Sequence, residues 1–142
     1  MVTIDASVWV AVDAGDESSC DVSRALLRAV LEARLTVHQP ALSIVEVSAA
    51  VARRTHDVAL AREAGRRVLE MPSLVVHALD LDSAAEAAAL AGHVRLRAAD
   101  AIYAATALRH GTQLVTLDME LRERSSSVVA AFTPAEWLSR LQ

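Results

Sequence analysis

Apolar positions along this chain fall into short unbroken runs, separated by longer stretches with helical spacing. Val2-Thr3-Ile4 reads as a buried strand, and Asp5-Ala6-Ser7 then opens a short helix to about residue 14, with Asp5 or Ser7 able to cap it. Residues 15–18 form a loop. A second helix runs from about 19 to 34, with Val22, Leu26, Val30 and Leu31 on one face. Thr36-Val37-His38 is a second strand closed by Pro40. Helices at about 41–54 and 57–71 follow, the latter stopped by Pro72. Leu74 to Leu79 is the third strand. Two more helices, about 82–91 and 97–109, end at Gly92 and Gly111. Residues 113–116 and 128–132 supply the fourth and fifth strands, with a short helix at about 119–124 between them. Thr133-Pro134 starts a last helix, threonine at the cap and proline in the first turn. Apolar strands alternating with helices predict an α/β fold: a central, mainly parallel five-stranded sheet in a three-layer α/β/α sandwich. No linker or repeat divides the chain, so residues 1–142 are expected to form one domain.

Four acids break this pattern. Asp5 ends the first apolar run, and Asp118 follows Leu114-Val115-Thr116-Leu117. Glu46 interrupts Leu42-Ser43-Ile44-Val45-Glu46-Val47. Asp100 sits inside Leu96-Arg97-Ala98-Ala99-Asp100-Ala101-Ile102-Tyr103-Ala104-Ala105. Residues three and four away from Glu46 are Leu42, Ser43, Ala49 and Ala50, so this glutamate belongs to a mostly apolar helix face. Unpaired carboxylates are costly to bury; such groups neutralise, pair or bind a metal. In open parallel sheets ligands bind beyond the carboxyl ends of the strands, where strand order reverses. Asp5 and Asp118 both lie at such ends, and they share one crevice if the first and fourth strands are neighbours.

Composition narrows the chemistry. The single cysteine, Cys20, excludes an internal disulfide and a cysteine-rich zinc site. Aromatic residues make up 3%, too few for a base-stacking platform of the kind that reads RNA sequence. The net charge of −4 argues against a broadly basic nucleic-acid surface. All 14 basic residues are arginine, however, which grips phosphate with a bidentate fork. Arg53-Arg54, Arg62, Arg66-Arg67, Arg95, Arg97, Arg122 and Arg124 form local clusters. There is no basic leader followed by an apolar segment, and no membrane-length apolar run, so a cytoplasmic protein is expected. His38, His56, His77, His93 and His110 show no ligand spacing such as H-x-x-x-H and are expected on strands and surface.

Carboxylates brought within about 4 Å of one another repel by roughly 4 kcal/mol per pair at an effective dielectric of 20. Cations or raised pKa values make that tolerable. An all-oxygen set suits Mg²⁺ or Mn²⁺ rather than zinc. Such a site suits hydrolysis of a phosphodiester by metal-activated water, leaving a 5′-phosphate and a 3′-hydroxyl. Each acid also has an ordinary structural role open to it. Asp5 and Asp118 can cap helices, Asp118 can pair with Arg122 and Asp100 with Arg97, and Glu46 can reach solvent. Four coincidences at compatible positions favour the shared site.

The motifs, taken in order, resemble a known family. Val-Thr-Ile-Asp5-Ala-Ser7 is similar to its N-terminal D-x-S/T motif, and Glu46 to its helical glutamate. Residues 96–105 around Asp100 resemble the third motif, and Thr116-Leu117-Asp118 the fourth, T-x-D. The family is that of the PIN-domain ribonucleases, and the length points to the VapC toxins of toxin–antitoxin modules. The resemblance implies a PIN-like fold and an endoribonuclease dependent on Mg²⁺ or Mn²⁺. It further implies a homodimer, an RNA substrate and inhibition by a VapB-like antitoxin. Asp5, Glu46, Asp100 and Asp118 would be the catalytic, metal-binding acids, with Ser7 and Thr116 supporting them. The competing expectation is a catalytically weak PIN-like module that only binds RNA or antitoxin. Another Mg²⁺-dependent phosphohydrolase would want a second aspartate two residues after the first, where this chain has Ser7; a dinucleotide fold would want G-x-G-x-x-G.

Overall fold

The computed structural model describes residues 1–14 and 16–141; Gly15, placed above in the loop at 15–18, and Gln142 lie outside them. Each strand is short and apolar, and the helices between the strands allow all of them to run parallel. In chain order the elements are β1 (Val2–Ile4), α1 (Ala6–Ala14), α2 (Glu17–Glu32), β2 (Val37–Pro40), α3 (Leu42–Thr55), α4 (Val58–Leu69), β3 (Leu74–His77), α5 (Leu81–Val94), α6 (Ala98–His110), β4 (Gln113–Val115), α7 (Met119–Ser125), β5 (Ala131–Phe132) and α8 (Pro134–Ser139). The sheet has five strands in the order β3-β2-β1-β4-β5, and every pairing is parallel. Chain direction across the sheet therefore reverses between β1 and β4, which lie side by side. That is where a parallel sheet leaves a crevice.

Helix α6 crosses β2, β1 and β4, and α5 packs on its outer side. Its buried residues are Ala101, Tyr103, Ala104, Ala105 and Ala107, and the small side chains among them let the helix sit close to the strands and to α5. Val2, Ile4, Val37, Leu114 and Val115 fill the core beneath it. Helices α3 and α4 form the tightest helix pair, and Gly65 explains how. A methyl group there would collide with the Ser48 hydroxyl and press on Ile44. Gly65→Ala should therefore cost about 1–3 kcal/mol by forcing α4 off α3. A urea unfolding midpoint equal to that of the parent protein would contradict this.

Strands β1 and β2 pair at Val2–Val37 and then part. The fully buried Gln39 side chain bridges the gap: its amide oxygen accepts from Ile4 N–H at 3.2 Å, and its amide nitrogen donates to the Ile4 carbonyl. The sheet thus opens next to Asp5 without leaving the Ile4 backbone unsatisfied.

Several boundaries differ from the sequence pattern: β3 stops at His77 rather than Leu79, β2 runs from Val37 to Pro40, and three more have a visible local cause. Helix α5 continues through Gly92 to Val94 and ends at Arg95 in the left-handed region (φ 57°). Gly92 faces open space, and its alanine-rich surroundings carry the helix past it. Helix α2 starts at Glu17, because Asp16 caps it by accepting from Ser19 N–H at 2.9 Å. Strand β5 is reduced to Ala131–Phe132; Val128 and Val129 N–H both bond to the Ser125 carbonyl in a turn that follows α7.

Candidate active site

Asp5 occupies the residue between β1 and α1, at the bottom of the crevice, and is only 7% exposed. Its Oδ2 accepts from the Ser7 hydroxyl, from Ser7 N–H at 3.3 Å and from the Thr116 hydroxyl at 2.9 Å. Burial pushes its carboxyl above the usual range, and these hydrogen bonds only partly offset that. Ser7 and Thr116 also hold the opposite wall. Leu117 N–H donates to Ser7 Oγ at 3.0 Å, and Asp118 N–H donates to Thr116 Oγ1 at 2.9 Å. The two hydroxyls therefore tie the turn after β1 to the turn after β4.

Asp118 caps α7, its Oδ1 accepting from Glu120 N–H at 2.8 Å and Leu121 N–H at 3.1 Å. Its other oxygen accepts from Arg97 Nη2 at 2.6 Å. The same guanidinium donates from Nε to Asp100 Oδ2 at 2.9 Å. Asp100 sits in the first turn of α6. Burial raises its pKa, Arg97 opposes this, and the Asp118 and Asp5 charges add to the rise. Glu46, one turn into α3, has one carboxylate oxygen fully buried with no hydrogen-bond partner. Burial again is the main cause of its raised pKa; the Tyr103 hydroxyl opposes the rise, and the Asp5 and Asp100 charges reinforce it. The buried Tyr103 hydroxyl faces Glu46, and burial with the Asp5 and Glu46 charges holds it in the phenol form.

Asp5, Ser7, Glu46, Asp100 and Asp118 thus line one open cleft of about 520 Å³, with Thr116 hydrogen-bonded behind them. The structural roles open to each acid are also partly filled. Asp118 does cap a helix, and Asp100 does pair with Arg97. The i+4 partner Arg122, however, turns away to Glu136, donating from Nε at 2.8 Å. Helical spacing pointed to Arg97 as a partner of Asp100 but gave no sign that it also spans 21 residues to Asp118. Asp16, Ser19, Arg53 and Arg54 line the cleft as well. The Asp16-x-x-Ser19 pattern marks a helix start, but nothing local places that start at the crevice.

The donor set fits a hard divalent cation. Its ligating atoms are carboxylate oxygens, and Asp5 and Glu46 have no cationic side-chain partner among the described residues. Arg97 is the cation that contacts the other two acids.

The fold is similar to that of PAE2754 from Pyrobaculum aerophilum (26% identity, TM-score 0.68, covering 99% of this chain and 88% of that one). It is also similar to a chain of a toxin–antitoxin complex from Klebsiella pneumoniae (20%, TM-score 0.66, 94% and 98%). A third likeness is to the sarcin–ricin-loop-cleaving toxin VapC20 of Mycobacterium tuberculosis (16%, TM-score 0.70, 92% and 98%). A search of the curated proteins gave no match. The PIN-domain family model matches residues 2–126, most of the chain, and the chain belongs to the PIN-domain family.

Proposed function

We propose that the chain, as one domain over residues 1–142, is an Mg²⁺- or Mn²⁺-dependent endoribonuclease and the toxin of a toxin–antitoxin module. The observation that carries this reading is the gathering of Asp5, Glu46, Asp100 and Asp118 in one cleft, two of them without a positive partner among the described residues. In that reading Asp5 and Asp100 hold the ion, with Glu46 and Asp118 completing its shell directly or through water. The bound cation would lower the pKa of a water and offset charge on the phosphoryl oxygens during in-line attack. Ser7 and Thr116 orient Asp5 and favour its ionised form by donating to its Oδ2. Arg53 and Arg54 on the cleft wall offer guanidinium forks to the flanking phosphates, which reconciles RNA binding with an acidic chain.

Arg97 contacts both Asp100 and Asp118, and in this reading would give them up to the ion and turn to the substrate phosphate. Arg97→Gln should therefore raise Mn²⁺ affinity a few-fold, in keeping with an exposed pair of contacts, while raising KM for RNA. Isothermal titration with Mn²⁺ alone checks the first half. Weaker Mn²⁺ binding in the variant would rule out competition by Arg97.

Two surfaces support the proposed partners. Trp9, Val12, Leu27, Leu31, Val47 and Val68 line an apolar hollow of about 270 Å³ among α1, α2, α3 and α4. It suits the apolar face of an antitoxin helix, whose arginine would enter the acidic cleft. A second apolar hollow, of about 490 Å³ along α5 and α6 and lined by Ala89, Leu90, Ala105 and Leu108, suits a homodimer contact. Among the described residues no helix is long and apolar enough to cross a membrane.

The deciding experiment is cleavage of end-labelled total RNA with Mg²⁺, Mn²⁺ or EDTA, beside Asp100→Asn. Metal-dependent cuts bearing 5′-phosphates, absent in the variant, are expected. Equal cutting by the variant would remove Asp100 from the site. Metal binding without any cutting would favour the catalytically weak RNA- or antitoxin-binding module.

A further inference from the structure

His38, His77 and His110 come from three separate elements, β2, the end of β3 and the end of α6, and meet at one place. One ring nitrogen from each can be chosen so that all three lie within 4.8 Å of one another. His38 Nδ1 and His77 Nε2 are 3.0 Å apart and share a hydrogen bond. The His110 ring stacks on both, with centroids 4.8 Å from His38 and 3.8 Å from His77. All three are part-buried, and a cavity of about 30 Å³ adjoins His77 and His110, enough for one water or ion. This cavity shares no lining residue with the acidic cleft. Asp100 and His110 are ten residues apart on one helix, or about 15 Å along its axis.

We propose that these three histidines form a second metal site, for a borderline transition cation of the zinc class, distinct in place and chemistry from the carboxylate cleft. Neutral imidazole nitrogens select Zn²⁺, Ni²⁺ or Cu²⁺ over Mg²⁺ and Mn²⁺. Burial, and the mutual proximity of the rings, keep His38 and His77 toward that neutral form. Ligands about 2.0–2.1 Å from a tetrahedral zinc stand a little over 3 Å from each other, close to the His38–His77 spacing. The rings are now nearly parallel, with interplanar angles of 9°, 19° and 27°, so ligation requires them to turn from stacking to convergence. Whichever ring donates in the His38–His77 bond moves its proton to its other nitrogen, freeing a lone pair without net proton loss. Three protein ligands would leave a fourth position for water. The bound ion would pin the β2–β3 edge of the sheet to the C-terminal end of α6.

The test is titration of the whole chain with ZnCl₂, read by ¹⁵N shifts of the imidazoles, with the exposed His56 and His93 as internal controls. Ligation-sized shifts at His38, His77 and His110 alone, retained in Asp100→Asn, are expected. His110→Ala should weaken zinc binding by at least about tenfold. Should that variant fail to fold by circular dichroism, His77→Gln replaces it. Shifts spread over all five histidines, no shift at the three, or zinc binding lost in Asp100→Asn but kept in the histidine variants would each overturn the site. None of these results depends on the chain being a nuclease.

Discussion

Asp5→Asn will lower RNA cleavage by at least about a hundredfold, as expected when one preorganised charge is removed from a site of this kind. It will also raise the melting temperature of the metal-free protein. The two effects have one cause. Asp5 lies at the bottom of the cleft, nearly fully buried, with two hydroxyls and the Ser7 N–H as partners and, among the described residues, no cationic side chain in contact. Its negative charge is costly to the fold and is what a divalent ion would need. An amide of the same shape removes the charge and keeps an oxygen that can accept from Ser7 and Thr116. A purely structural Asp5, serving as cap to α1, predicts the opposite sign: the variant would melt earlier. Differential scanning calorimetry in EDTA, beside the cleavage assay, separates the two.

The second large effect is a fall in metal-free stability as pH rises toward neutrality, which the cation reverses. Asp5, Glu46 and Asp100 all have folded-state pKa values raised above their ordinary 3.8, 4.5 and 3.8, chiefly by burial. A raised carboxyl holds its proton longer in the folded state. Its contribution to stability is therefore fully present below the ordinary value and is lost as pH climbs through the raised one. Asp16, Asp80, Glu63 and Glu136 shift the other way through hydrogen bonds and arginine contacts, and their contributions are lost as pH falls through their lowered values. The two windows barely overlap, so the cleft acids govern the fall above about pH 4. Mg²⁺ or Mn²⁺ at about 100 times its Kd should restore about 2.7 kcal/mol at neutral pH. A melting temperature that is flat between mildly acidic and neutral pH in EDTA, or unmoved by either ion, would contradict this account of the cleft.

The backbone elements were legible because their signals are local. Val2-Thr3-Ile4, the Thr133-Pro134 start and the Pro72 stop act through neighbours a few residues away, and the structure places elements where they point. Gly92 misled for the same kind of reason: a glycine weakens a helix but does not end one when favourable residues continue on both sides. The fifth strand shrank because pairing with β4, rather than apolar character, decides how much of a run becomes strand.

The succession of strands and helices, and the four acids set into or against apolar runs, are written in local pattern, because periodicity and capping operate within a few residues. Tertiary structure alone decided that β1 and β4 lie side by side. That adjacency lets the Thr116 hydroxyl reach Asp5, and it sets Asp118 and Arg97 in the same cleft as Asp5. It alone supplied the Gln39 bridge that opens the sheet, and the meeting of His38, His77 and His110 from elements with no common spacing. The physical reason is the same in each case. Side chains 35 to 111 residues apart become partners through strand order and helix placement, which the packing of the whole core selects and no single segment encodes.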